Sequence, residues 1–273
     1  MRFAAHEIAT FNWTLEQDVE MFSRWGMTAM AVVIRKLEAC GAAKGVRLMR
    51  DAGIAASSIS VAEFAPEETS QWPARRDALR RGLDLAAQVG AKRFIVLTGP
   101  APKQSYEESA ARFVEQVREI APEAGKLGVC LALEPHSSVA VDAAFVYRLH
   151  DALDLADEIG SPWFAVNMEV AHCFQERGLY ENIQKRVGRI VNVQCGDFKI
   201  GTRQSTDRVP LGDGCIPLER IFDALERAGY EGYCEIETIG PRIEAMGYEE
   251  SMRRSLAYLA ERRGWRPEGA GRR

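Results

Sequence analysis

The segment 129–136, Val-Cys-Leu-Ala-Leu-Glu-Pro-His, decides how this chain of 273 residues folds. It is a short apolar run between Gly128 and Pro135, and a run of this length is typical of a buried β-strand rather than a helix. Side chains two residues apart on a strand point the same way, so Glu134 and His136 share one side. The segment therefore predicts a strand whose carboxyl end presents an acid and an imidazole. The alternative is a structural glutamate paired with a nearby arginine.

Seven more segments of this kind alternate with amphipathic helical segments along the chain. We predict these strands at residues 3–8, 30–34, 54–64, 92–97, 163–169, 189–194 and 233–237. Eight strand–helix units without a break in composition predict a single (β/α)₈ TIM barrel over residues 1–264. The remaining residues, 265–273, form a polar tail predicted to be disordered. A doubly wound open sheet is the alternative, but the chain lacks the Gly-x-Gly-x-x-Gly and Walker motifs of its nucleotide-binding forms.

The composition excludes several classes of protein. The net charge is −4 and the pI is about 5.7, so there is no basic excess to bind nucleic acid. No segment approaches the roughly 20 apolar residues that a membrane span needs, and the amino terminus does not resemble a signal peptide. The six cysteines show no Cys-x-x-Cys spacing, which favours reduced thiols in the cytoplasm.

Polar residues collect at the carboxyl ends of the predicted strands, where the active sites of such barrels lie. Three of the four histidines fall in strands or at their ends. The candidate site residues are His6, Glu134, His136, Glu169, His172, Gln194, Asp197 and Glu237.

Three of these residues are glutamates that would point into one mouth. Glu134, Glu169 and Glu237 would repel one another there, and a cation is the usual remedy. With the amide oxygen of Gln194 they form an oxygen-rich set, which favours Mn²⁺ or Mg²⁺. The alternative is a set of buried Glu–Arg pairs.

Motifs in the second half of the chain resemble those of the sugar phosphate isomerase/epimerase group of xylose-isomerase-like TIM barrels. That group includes ketose 3-epimerases, hydroxypyruvate isomerases and inosose dehydratases. Two motifs depart from the family pattern: Glu169 replaces Asp in Asp-x-x-His, and Gln194 replaces His in His-x-x-Asp/Glu. The matching stretches are Leu133-Glu134-Pro135, Glu169-Val170-Ala171-His172, Gln194-Cys195-Gly196-Asp197, the Arg-x-x-x-Gly-x-Gly loop from Arg208 to Gly214, and Gly232 with Glu237.

The resemblance implies a divalent-metal-dependent isomerase or epimerase that forms an enediolate. The acid/base pair would be Glu134 and Glu237, which would also bind the metal with Glu169 and Gln194. His172 and Asp197 would contact substrate hydroxyls or support the site. Arg208 and His6 would also bind the substrate. The two departures from the pattern leave a barrel without a metal as an open alternative.

His136 opens a second possibility, because the family epimerases need no imidazole at this position. It would act as the base of a lyase or dehydratase that performs β-elimination on a keto-sugar, a keto-inositol or a 3-keto-glycoside. A non-catalytic sugar-binding barrel or subunit is the third possibility. In each case we expect a small-molecule sugar or keto-sugar as partner and a homo-oligomer, either a dimer or a tetramer.

Overall fold

Eight parallel strands close into one barrel in the computed structural model, which describes residues 1–267. The predicted fold is confirmed. Of the predicted disordered tail, residues 268–273 lie outside the described residues. The strands are β1 (Arg2–His6), β2 (Ala29–Val33), β3 (Ala55–Glu63), β4 (Arg93–Leu97), β5 (Cys130–Leu133), β6 (Phe164–Glu169), β7 (Ile190–Cys195) and β8 (Tyr233–Ile236).

The barrel closes where β1 pairs with β8, from Arg2 opposite Tyr233 to Ala5 opposite Ile236. Each strand pairs in parallel with the next one along the chain. All eight carboxyl ends therefore meet on one face of the barrel. Residues far apart in sequence share a single mouth there.

Helices surround the strands and bury their apolar stripes against them. Leu218, Ile221, Phe222 and Leu225 show the spacing of such a stripe, and all four are buried. No helix in the described part of the chain is long and apolar enough to span a membrane. The helices are α1 (Leu15–Arg24), α2 (Ile34–Cys40), α3 (Ala42–Asp51), α4 (Trp72–Val89), α5 (Tyr106–Leu127), α6 (Leu149–Ile159), α7 (Val170–Cys173), α8 (Leu179–Arg186), α9 (Leu218–Arg227), α10 (Pro241–Met246) and α11 (Tyr248–Arg263).

Local sequence signals set several helix ends. The Thr-x-x-Gln spacing of Thr14 and Gln17 predicts a capping box, and the two residues form one at the start of α1. Gly128 ends α5 with a φ of +65°, a conformation that glycine adopts without strain, and the chain then enters β5.

Two predicted boundaries are wrong. The first strand ends at His6 rather than at Ile8, because residues 7–10 form a 3₁₀ turn. The spacing of apolar residues over 145–159 predicts a helix there, but the helix begins at Leu149. There the Glu176 carboxylate accepts the N–H groups of Leu149 and His150 at 2.7 and 2.8 Å. This cap comes from a distant part of the chain, so the local sequence gives no sign of it.

Candidate active site

Four charged residues meet at the carboxyl-end face, and we call them the rim cluster: Glu134, Glu169, Arg208 and Glu237. Glu134 follows β5, Glu169 ends β6, and Glu237 follows β8. Nη1 of Arg208 lies 3.2 Å from Oε2 of Glu169 and 3.0 Å from Oε1 of Glu237. It also donates to the backbone carbonyl of Glu237 at 2.9 Å. The predicted alternative of buried Glu–Arg pairs is thus present, and the arginine comes from a loop rather than from a strand end.

Burial dominates the electrostatics of the rim cluster. It raises the pKa of Glu134 well above its ordinary value, and the charges of Glu237 and Glu169 raise it further. Burial raises the pKa of Glu169 to about 7 and also raises that of Glu237, although Arg208 opposes both shifts. One guanidinium faces three carboxyl groups, so the cluster retains protons near neutral pH.

The members of the rim cluster differ in their access to the mouth. The side chains of Glu134 and Glu237 are 12% and 13% exposed. Those of Glu169 and Arg208 are 0% and 2% exposed. Only Glu134 and Glu237 can therefore meet a substrate directly.

Asp197 and two glycines hold Arg208 in place. The Asp197 carboxylate accepts the N–H groups of four loop residues at 2.8 to 3.1 Å: Phe198, Gly212, Gly214 and Ile216. These donors occupy the carboxylate oxygens of Asp197. Of the two roles expected for Asp197, support of the site is therefore favoured over contact with a substrate hydroxyl. A Cβ at Gly214 would lie 2.2 Å from Oδ1 of Asp197, and one at Gly196 would lie 2.7 Å from Cδ of Arg208. The loop can approach this closely only because both residues are glycines.

The partners of three imidazoles assign their neutral tautomers. Nδ1 of His136 accepts the Ser137 N–H at 2.9 Å, so its proton lies on Nε2. Nδ1 of His172 faces the Pro135 carbonyl oxygen at 3.3 Å, so this nitrogen carries the proton and Nε2 holds a lone pair. Nδ1 of His6 accepts the Ile8 N–H at 3.0 Å.

These imidazoles lie beside the rim cluster. Nε2 of His6 is 3.7 Å from Oε2 of Glu237, and Nδ1 of His172 is 3.9 Å from Oε1 of Glu134. The rings of His136 and His172 are 4.6 Å apart. Burial lowers the pKa of His6 to about 4, that of His172 well below its ordinary value, and that of His136 more moderately. All three are neutral donors or acceptors at neutral pH.

A network of amide side chains supports the rim cluster. Nδ2 of Asn167 donates to Oε1 of Gln194 at 2.5 Å and to Oε2 of Glu134 at 3.3 Å. Nε2 of Gln194 donates to Oε2 of Glu235 at 3.3 Å. The sequence interpretation missed this role of Asn167. Its signal was a polar residue two positions before Glu169 in an otherwise apolar strand.

The residues predicted as metal ligands do not form a ligand set in this arrangement. Arg208 lies against Glu169 and Glu237, and the amide oxygen of Gln194 already accepts a hydrogen bond. Within residues 1–267, no three acidic, histidine or cysteine side chains are placed so that they could hold a metal ion. We therefore derive no catalytic step through a metal.

A large cavity adjoins the two neighbouring imidazoles. Its volume is about 1160 Å³, and His136 and His172 form part of its wall. The sequence interpretation missed this cavity because its walls come from separate loops after β4, β5, β6 and β7, and the sequence does not show how these loops meet. Its aromatic residues are Tyr106, Phe145, Tyr147, Phe174 and Phe198.

Comparisons with known proteins agree with the fold. The family model described as "Xylose isomerase-like TIM barrel" matches residues 19–262. The chain belongs to this family. A curated relative, the L-ribulose-5-phosphate 3-epimerase UlaE of Salmonella typhimurium strain LT2, is 27% identical over 192 residues. The match covers 69% of this chain and 61% of that protein, so the chain spans less than two thirds of the length of the relative.

Two solved structures show the same fold. Protein SMc04130 from Sinorhizobium meliloti 1021 is 25% identical with a TM-score of 0.83, and the match covers 92% of this chain and 98% of that one. The IolI protein, solved with a bound zinc atom, is 18% identical with a TM-score of 0.84. That match covers 96% of this chain and 97% of that one.

Proposed function

We propose that this protein is a sugar isomerase or epimerase that acts through an enediolate, with Glu134 and Glu237 as the acid/base pair. One observation carries the proposal: these are the two carboxyl groups of the rim cluster that reach the open mouth. Membership of the xylose isomerase-like family supports it, as does the similarity to an L-ribulose-5-phosphate 3-epimerase. The substrate class is a ketose or keto-sugar.

The raised pKa values suit an acid/base pair, because one carboxyl group must be ionised while the other is protonated. The ionised group removes the proton from the carbon next to the carbonyl, and the C–H electron pair forms the enediolate. The other group returns a proton. Return to the opposite face of the same carbon gives an epimer. Return to the neighbouring carbon gives an isomer when the hydroxyl proton also moves to the former carbonyl oxygen.

Two groups can stabilise the negative charge of the enediolate, Arg208 through its charge alone and His136 through a hydrogen bond. Arg208 brings a buried positive charge to within 3.0 Å of Glu237. His136 presents its Nε2–H, since Nδ1 is occupied by the Ser137 N–H. A fixed positive charge and a fixed donor lower the barrier because negative charge develops on the carbonyl oxygen during proton removal.

Arg208 is also the feature that opposes metal binding. Mn²⁺ or Mg²⁺, the ions predicted from the sequence, would need the carboxylate oxygens that Arg208 now contacts. We propose that such an ion competes with the guanidinium for Glu169 and Glu237, and that it binds only when Arg208 turns away.

Solvent deuterium exchange tests the proposed function. The protein is incubated in deuterium oxide with a panel of ketoses that includes L-ribulose 5-phosphate, once with a chelator and once with Mn²⁺. We expect deuterium at one carbon and recovery of the epimer or isomer. The proposal fails if no ketose in the panel exchanges under either condition.

A lyase is the second candidate, and the paired imidazoles favour it. The rings of His136 and His172 are 4.6 Å apart at the wall of the cavity. The free lone pair on Nε2 of His172 favours this residue as the base, with the Nε2–H of His136 as the acid. This revises the role of base that the sequence suggested for His136. Release of water or aglycone from a keto-sugar, lost in His172→Gln, would favour the lyase over the epimerase.

A further inference from the structure

We infer that the substrate is larger than a free pentose or hexose: a sugar joined to an aromatic group that carries a negative charge. The sugar would lie at the rim cluster and the appended group in the cavity beside His136 and His172. The inference rests on the proposed function for the sugar end of the molecule and adds the substrate class.

The size of the cavity is the first observation. Its volume of about 1160 Å³ exceeds the roughly 300–1,000 Å³ of pockets that hold drug-sized molecules. The carboxyl groups of the rim cluster do not line it, but His172, which does, has its Nδ1 3.9 Å from Oε1 of Glu134. The cavity is thus additional to the position at which a proton would be transferred, and a free sugar would leave it unfilled.

The walls of the cavity are the second observation. Phe145 is buried and contacts Tyr106 edge to face with ring centroids 5.8 Å apart. Phe174 and Phe198 are half-buried on other walls. Ile200 lies at the lip and is 91% exposed. Aromatic walls gain most from a planar apolar group, because it buries a large area and stacks on the rings.

Charge is the third observation. Lys199 and Arg203 line the cavity on the loop after β7. Both residues are exposed, and among the ion pairs and hydrogen bonds of the described residues no acid pairs with either side chain. Arg148, also in the wall, has Asp151 at 3.8 Å. Two unpaired cations favour an anionic group on the ligand, such as an aromatic carboxylate.

A second copy of the chain is the competing occupant, because the predicted homo-oligomer could cover Ile200. The observations favour the small molecule. The space is concave and bounded by four loops, and its exposed cations would attract an anionic group more than another apolar surface.

Three matched glycosides test the inference by calorimetric titration of the wild-type protein. They are the methyl, phenyl and 4-carboxyphenyl β-glycosides of one sugar, repeated for glucose, galactose and xylose. In at least one series we expect the phenyl glycoside to bind about tenfold more tightly than the methyl glycoside, because the ring is buried. The carboxyphenyl glycoside should bind about threefold more tightly again, because it meets Lys199 and Arg203.

Variants separate the two contributions. Phe198→Ala should remove the preference for phenyl over methyl. The double variant Lys199→Gln with Arg203→Gln should remove only the preference for the carboxylate. Ile200→Asp, an exposed position where folding is not at risk, should weaken carboxyphenyl binding. Leu127→Ser changes a partly exposed apolar residue at the opposite end of the barrel and should change nothing.

Two results would overturn the inference. One is equal affinity for all three glycosides in every sugar series. The other is a wild-type protein that sediments as a dimer and a variant Ile200→Asp that sediments as a monomer. That result would mean that a second copy of the chain covers the cavity. Calorimetric titration measures binding without turnover. A failure of the inferred substrate class can therefore be distinguished from a failure of the proposed function, which deuterium exchange tests. Exchange with free ketoses but no aglycone preference would leave the proposed function intact and refute only the substrate class.

Discussion

Two clusters of buried charge in this barrel share the same chemistry and differ in access. The first is the rim cluster. The second, which we call the lysine cluster, consists of Glu7, Asp18 and Lys36, beneath the turn after β1. Nζ of Lys36 is 2.7 Å from Oδ2 of Asp18 and donates to the backbone carbonyls of Glu7 and Thr10 at 2.8 and 2.9 Å. All three ammonium protons are therefore used.

In both clusters carboxyl groups outnumber the cation, and burial raises their pKa values. The lysine cluster is closed: Glu7 and Asp18 are fully buried and Lys36 is 4% exposed. The rim cluster opens at Glu134 and Glu237. The lysine cluster joins β1, α1 and α2, whereas the rim cluster can meet a ligand. A buried carboxyl group with a raised pKa is thus not in itself a functional site. The rim cluster differs from the lysine cluster because two of its carboxyl groups are accessible from the mouth of the barrel.

The largest expected effect is on catalysis at the open cluster. Glu134→Gln and Glu237→Gln should each lower the rate of solvent deuterium exchange into the ketose substrate by about 10²- to 10⁴-fold, the usual range for a lost acid or base. Glu231→Gln, at an exposed position just before β8, is the matched control and should leave the rate unchanged. A full rate in either of the first two variants would remove that residue from the mechanism.

The next effect is on stability at the closed cluster. Lys36→Met leaves Asp18 buried without its cation, so the free energy of unfolding in urea should fall by about 3–5 kcal/mol. Lys44→Met breaks the exposed pair with Glu16 and should change the free energy of unfolding far less, because solvent screens that pair. Similar losses in the two variants would mean that the lysine cluster contributes no more than a surface pair.

Metal affinity should separate the clusters further. Arg208→Met frees Glu169 and Glu237, and calorimetric titration should show Mn²⁺ binding at least about tenfold tighter than in the wild type, because a competing positive charge is gone. Arg208→Lys keeps the charge and should bind Mn²⁺ as the wild type does. If the wild type itself binds one Mn²⁺ per chain as tightly as Arg208→Met, the guanidinium does not compete.

The smallest effect is a pH dependence of stability at the lysine cluster. Burial and the neighbouring Asp18 raise the pKa of Glu7 well above its ordinary 4.5. Above pH 4.5 the unfolded chain therefore releases this proton while the folded chain keeps it, so stability falls as pH rises. Glu7→Gln has no proton to lose at this position, so this decrease in stability with rising pH should disappear. Its stability relative to wild type should rise with pH above about pH 4.5, at no more than about 1.4 kcal/mol per pH unit. Parallel stability curves would contradict the prediction.

The sequence by itself determined the order of strands and helices and the residues at the strand ends. The eight short apolar runs and the capping box at Thr14 are local signals, and the structure reproduces them. Strand periodicity also placed Glu134, Glu169 and Glu237 at the carboxyl ends, because side-chain direction on a strand follows from spacing alone.

Only the tertiary structure decided which charges meet and which of them a ligand can reach. Arg208 lies 39 residues beyond Glu169, and its position depends on a loop that Asp197 folds through four backbone N–H groups. The four-loop cavity and the distant Glu176 cap on α6 arise in the same way. Contacts of this kind depend on where the closed barrel brings separate loops together, and no local pattern of residues encodes that distance.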